Sequence, residues 1–165
     1  CKADRNLVKA VTSNESVSLI SLKKRSTEDS ALLEEQAKDV LKQEGIDLIG
    51  AFQSQSSSTL HLALSAEIPD AKFEKVEKIL NNVLPGRSFS RLKAKNNKAI
   101  VTAVGREIRQ KPQITARVNY ALQRSGILYE DMSFPQSDHS ISFLVPCAES
   151  SQAVGQIHRE VILNG

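Results

Sequence analysis

Apolar positions recur along the chain in two rhythms. From Ser16 to Leu22 (SVSLISL) they alternate and are largely β-branched or leucine, which predicts a strand. The period then changes. Leu33, Ala37, Val40 and Leu41 fall on one face of a helix within residues 26–45. Ser26 or Thr27 suits its N-cap, Glu28 and Asp29 suit its positive end, and Gly45 suits a left-handed stop. IDLIGAF (Ile46–Phe52) and TLHLAL (Thr59–Leu64) are two more strands, separated by a Gln/Ser-rich turn. Phe73, Val76, Leu80 and Val83 form the stripe of a second helix, which Pro85-Gly86 ends. Arg87–Lys93 supplies a fourth strand, so the order is β-α-β-β-α-β.

The same passage is then written again. Gly45 and Gly126 are 81 positions apart, as are Gln55-Ser56 and Gln136-Ser137. At that offset Leu33 matches Ile114, Ala37 matches Val118, Leu41 matches Leu122, Val76 matches Ile157 and Leu80 matches Val161. The copies agree where a core face needs apolar residues, which is structural duplication. The second copy has a strand at Ala99–Val104, a helix opened by Pro112, strands within 127–134 and 140–146, and a helix over 149–163. It ends before a fourth strand. Asn6–Thr12 (NLVKAVT) belongs to no element of the first copy and completes the second. The expected organisation is therefore an inserted unit at 15–95, and an outer unit made of 5–14 and 96–165. The fold class is α+β: two ferredoxin-like βαββαβ units, each an antiparallel four-stranded sheet with two helices on one face.

Composition narrows the function classes. The chain has 165 residues, is 40% hydrophobic and 25% charged, and can bury a core. Aromatics are only 4%, so that core is built from Leu, Ile, Val and Ala. A net charge of +3 calls for neither nucleic acid nor a membrane. The basic run Arg91–Lys98 reads as a solvated connector. The third strands lack the aromatic motif with which an RNA-recognition fold of the same topology stacks bases. Two cysteines make no disulfide framework, and no signal peptide or membrane-length apolar run is visible, so a cytoplasmic location is expected. Starting at Cys1 rather than Met, the chain reads as a segment of a longer protein.

Catalytic chemistry is hard to find. Neither a P-loop nor a dinucleotide-binding glycine motif is present. His61, His139 and His158 have no metal-ligand spacing with each other or with Cys147. His61 reads as a strand-face residue and His158 as a solvated helix residue. Glu34, Glu35, Asp39 and Glu44 read as ordinary solvated helix positions. The polar turns Gln53–Ser58 and Pro135–Ser140 are more suggestive, because they can hydrogen-bond a polar small molecule. The loops Lys23–Asp29 and Gly105–Lys111 precede the first helix of each copy, and a helix N-terminus favours a carboxylate. A free amino acid suits these parts.

The residues Val104-Gly105, Pro112, Ala116-Arg117-Val118, Gly126-Ile127, Ser137-Asp138 and Ile141-Ser142-Phe143 together resemble the second ACT domain of aspartokinases. The first copy resembles the first ACT domain, and in that family one unit is likewise inserted in the other. The resemblance implies a regulatory region that follows a kinase domain phosphorylating aspartate with ATP and Mg. That kinase domain and its cofactors lie outside this segment, for which no cofactor or metal is expected. It also implies a homodimer and feedback by an amino acid, with lysine and threonine as candidates. The implied effector contacts are Lys23, Arg25, Ser26, Ser30 and Ala31 at the first loop and helix, and Ile49, Gly50, Gln53 and Ser54 on the next strand. Arg109, Ile114, Gln136, Ser137 and Asp138 are their counterparts in the second unit. Three departures bear on binding. The family's glycine-rich loop is Arg106–Gln113 without glycine, its Asn before Ile-Ser-Phe is Ser140, and its acidic residue on the second strand falls on Ile49. Ectoine-pathway aspartokinases are the branch in which such divergence is expected. The alternative is a dimerisation module that has lost its effector.

Overall fold

A computed structural model describes residues 8–24, 30–53, 59–83, 89–132 and 139–163. The elements are β1 (Val8–Lys24), α1 (Ser30–Gln43), β2 (Leu48–Gln53), β3 (Thr59–Leu64), α2 (Asp70–Val83), β4 (Phe89–Gly105), α3 (Pro112–Arg124), β5 (Glu130–Met132), β6 (Ser140–Pro146) and α4 (Ser150–His158). Short 3-10 turns at Ile108–Gln110 and Cys147–Glu149 precede α3 and α4. A π-helical turn, Arg159–Leu163, continues α4. The chain forms two compact units: Ser16–Asn96, and the remainder, in which β1 up to Glu15 joins the chain from Asn97 onward.

In the inserted unit the strand order is β2-β3-β1-β4. The β1–β3 and β2–β3 pairs are antiparallel, with Ile20 and Ala51 both opposite Leu62. Because strand side chains alternate, Ile20, Leu22, Leu60, Leu62 and Leu64 share one face. They pack with Leu33, Ala37, Val40 and Leu41 of α1 and with Val76 and Leu80 of α2. In the outer unit the order is β1-β4-β6-β5. Val101 lies opposite Phe143, and Asp131 of β5 lies opposite Phe143 on its other side. The core there combines Ala99, Val101, Ala103, Ile141, Phe143 and Val145 with Ile114, Val118 and Leu122 of α3 and with Ala153 and Ile157 of α4.

The helix ends show why the glycines recur. Ile46 N–H donates to the Leu41 carbonyl (2.9 Å) and Gly45 N–H to that of Lys42 (3.1 Å). In the other unit Ile127 donates to Leu122 (3.2 Å) and Gly126 to Gln123 (3.0 Å). These are the paired bonds of a Schellman stop, which needs a left-handed residue. Gly45 and Gly126 supply it at φ 71° and 69°.

Four strands are expected, at Asn6–Thr12, Ser16–Leu22, Arg87–Lys93 and Ala99–Val104; among the described residues, from Val8 and from Phe89, there are instead two continuous 17-residue strands, β1 and β4. The polar stretches Ser13–Ser16 and Lys95–Lys98 look like breaks in the sequence. Strand geometry depends on the backbone ladder, and exposed polar side chains do not interrupt it. The two halves of each strand serve different cores. In β4, Ala94 packs on the inserted unit's core, whereas Ala99, Val101 and Ala103 face the outer unit's core. In β1, Val11 packs on the outer core and Ile20 and Leu22 on the inner; Val8, at the start of β1, is buried in the outer core. Each strand carries one left-handed residue between its two halves, Asn97 (φ 58°) in β4 and Ser16 (φ 60°) in β1.

Candidate functional site

The best-described candidate region lies between β4 and α3. Gly105 ends β4, and its N–H donates to the His139 carbonyl at 2.8 Å. The chain then turns through Glu107, left-handed at φ 53°, whose N–H points at His139 Nδ1 (3.4 Å). Ile108 is fully buried and pins the loop to the core. Arg109 follows, with Nε donating to the Ser140 carbonyl at 3.3 Å. Pro112 takes a first-turn position of α3, where a missing N–H costs nothing. The loop and the start of β6 are thus joined by three hydrogen bonds.

Of the expected effector contacts, the structure brings Arg109 to the start of β6. Ile114 goes elsewhere: its side chain lies in the core, and its N–H donates to the Lys111 carbonyl (3.0 Å). Periodicity put Ile114 on the core stripe, and the side chain packs there. Gln136, Ser137 and Asp138 lie outside the described residues, as do Arg25, Ser26 and Ser54.

In the inserted unit, Lys23 is opposite Thr59, and Gln53 is opposite Leu60. The register therefore sets Lys23 and Gln53 at one end of the sheet. Ser30 and Ala31 are the first two residues of α1. Ile49 and Gly50 belong to the other end of β2, about 13 and 10 Å from Gln53 at the rise of a strand. Ile49 is also the extra residue of a β-bulge, since Leu48 pairs with Leu64 and Gly50 with Ala63. Its side chain is 39% exposed.

Composition gave no sign of two polar pairs on the sheet faces turned away from the cores. Ser21 Oγ is 2.7 Å from His61 Nδ1, and the His61 ring stacks on Phe52 at 4.9 Å. Thr102 Oγ1 is 2.9 Å from Ser142 Oγ. These pairs are related by the same 81-residue offset. His61 and Ser142 differ in type, so a match by identity misses them; the offset itself is the signal. Partial desolvation raises the Asp131 carboxyl above its ordinary 3.8. Among the described residues no group of three or more His, Cys, Asp or Glu is placed to hold a metal ion, and no helix is long and apolar enough to cross a membrane.

Residues 101–161 match the model of the ACT domain family. No curated protein matches by sequence. Among solved structures, the aspartate kinase of Clostridium acetobutylicum superposes with a TM-score of 0.79 at 13% identity, over 94% of this chain and 35% of that one. The ligand-free regulatory subunit of aspartate kinase from Thermus thermophilus gives 0.69 at 17% identity, over 94% of this chain and 98% of the subunit. The fold is that of an aspartate kinase regulatory region. Aspartokinase III of E. coli, in its T-state complex with lysine and aspartate, gives 0.71 at 17% identity, covering 98% of this chain and 35% of that one. The chain thus spans about a third of the length of these kinases. The β4–α3 region is the first strand–helix loop within the stretch similar to the ACT domain model.

Proposed function

We propose that this chain is the amino-acid-binding, dimerising regulatory region of an aspartate kinase, acting in the cytoplasm on a kinase domain outside these residues. ATP and Mg belong to that kinase domain. The observation that carries the reading is the coverage: 94% of the chain, both units included, follows a regulatory subunit that it covers almost completely. An effector would bind one arrangement of the region better than another and so shift the attached kinase between states. Lysine is the first candidate, because aspartokinase III has been captured with it in the T-state; threonine is the second. Lys23, Gln53 and the start of α1 are the segments in the inserted unit suited to hold the amino acid, and the Arg109 loop is the counterpart in the outer unit.

A second reading is a dimerisation scaffold without an effector. The closed Arg109 loop favours it, since Ile114 N–H at the start of α3 is already taken.

The test is thermal denaturation of the purified chain against a panel of free amino acids, with sedimentation to fix its oligomeric state. A ligand at about 100 times its Kd adds about 2.7 kcal/mol. For a chain of this size that raises Tm by roughly 5–10 °C. A selective rise with one amino acid supports the regulatory reading. A flat panel on a folded dimer replaces it with the scaffold.

A further inference from the structure

We propose that Ser16 and Asn97 form a paired backbone hinge, built into the two strands that pass from one unit to the other. Three observations support this. Each residue is the first of the unit its strand enters, and each is left-handed, at φ 60° and 58°, without being glycine. L-residues pay for that conformation, and a serine or asparagine within a strand holds it only where the surroundings require it. The two positions are also 81 apart, so the duplicated unit carries the same feature at the same place. A chance irregularity would not appear in both copies.

The third observation is what stands immediately before each residue. Asn96 is tied to its own unit: its Oδ1 accepts from Ile68 N–H (3.1 Å) and its Nδ2 donates to the Ile68 carbonyl (3.2 Å). Glu15, at the equivalent position, accepts through Oε1 from Ser150 Oγ (2.7 Å), and Ser150 is 1% exposed. Both ties reach the start of the second helix of the same unit. Each unit is therefore held firm up to its last strand residue. The residue that follows, Ser16 or Asn97, is exposed, and it is where the hinge bends. Two stable settings exist for such a residue, left-handed and extended, and moving between them redirects the strand. The use of this hinge to pass an effector signal rests on the function proposed above; the hinge itself does not.

The experiment is a spin-label distance measurement on the full chain. Labels go on Glu35→Cys of α1 and Gln152→Cys of α4, both exposed, with Cys1 and Cys147 changed to Ser. Glycine takes both signs of φ readily, so Ser16→Gly/Asn97→Gly is expected to widen the distance distribution. Valine disfavours positive φ, so Ser16→Val/Asn97→Val is expected to shift its mean. The control is Asn14→Gly/Lys95→Gly, an equivalent pair in the same strands without positive φ, and it should leave the distribution unchanged. An unchanged distribution in the Ser16/Asn97 glycine pair overturns the hinge, whatever the valine pair does. Equal widening in the control pair overturns it as well. L-Lysine and L-threonine are then added to the unsubstituted labelled chain. If the glycine pair widens the distribution and neither amino acid changes that of the labelled chain, the hinge stands and effector control through it falls.

Discussion

Replacing Gly126 by alanine separates torsional strain from crowding. A Cβ built at Gly126 meets no heavy atom within 4 Å, so alanine clashes with nothing. The cost lies in φ, which is +69° and belongs to the left-handed stop of α3. An L-residue there costs roughly 1–2 kcal/mol. Alanine also restricts the unfolded chain, which returns about 0.4–1 kcal/mol. The net expectation for Gly126→Ala is a loss of about 1 kcal/mol, or roughly 2–4 °C in Tm. Gly155, inside α4, is the internal control. Its Cβ also meets nothing within 4 Å, but its φ is ordinary. Gly155→Ala should therefore stabilise the protein by up to about 1 kcal/mol, the usual helix-interior difference. Gly126→Asn should fall between Gly126→Ala and the unsubstituted protein, because asparagine tolerates the left-handed region. Urea denaturation of the three variants, followed by far-UV circular dichroism, measures all of this. If Gly126→Ala and Gly155→Ala change stability with the same sign, the torsional argument is wrong.

Two further outcomes follow from side-chain geometry. Arg117 of α3 reaches the π-helical turn, where its Nε is 3.3 Å from Glu160 Oε1 and its guanidinium also donates to the Glu160 carbonyl. The pair is partly exposed, so Arg117→Ala should cost about 1 kcal/mol in denaturant titrations; Arg117→Lys, which cannot span both acceptors, should recover less than half of it. Asp131 carries a carboxyl pKa raised by desolvation, so the folded state holds its proton more tightly than the unfolded state does. Stability from this group is present below pH 3.8 and is lost as pH rises through the raised value. Asp131→Asn should flatten the stability profile in that window, with a small effect because the residue keeps solvent contact; an unchanged profile would refute the assignment.

Most of the fold could be read in the chain, because its signals are local. The stripes Leu33–Ala37–Val40–Leu41 and Ile114–Val118–Leu122 lie within single helices, and both stripes are core. Gly45 and Gly126 announce their own turns, and the offset between them exposes the duplication. The candidate site was less legible. Ile114 satisfied two patterns, a core stripe and a helix N-terminus, and packing chose the first. The resemblance grouped Ile49 with Gln53, whereas strand rise and the bulge set them at opposite ends of β2.

The sequence by itself determined which segments are helices and strands, where the helices stop, and that one unit is repeated. Each of these follows from side chains a few residues apart. Only the tertiary structure decided that four expected strands are two, that Ser16 and Asn97 are left-handed, and that Glu15 holds Ser150 while Asn96 holds Ile68. The polar residues around Ser13 and Lys95 carry no strand preference of their own. They stay in strand beside apolar halves that pair with β3 and β6. Partners as distant as Glu15 and Ser150 leave no local periodicity to read, so only the folded chain brings them into view.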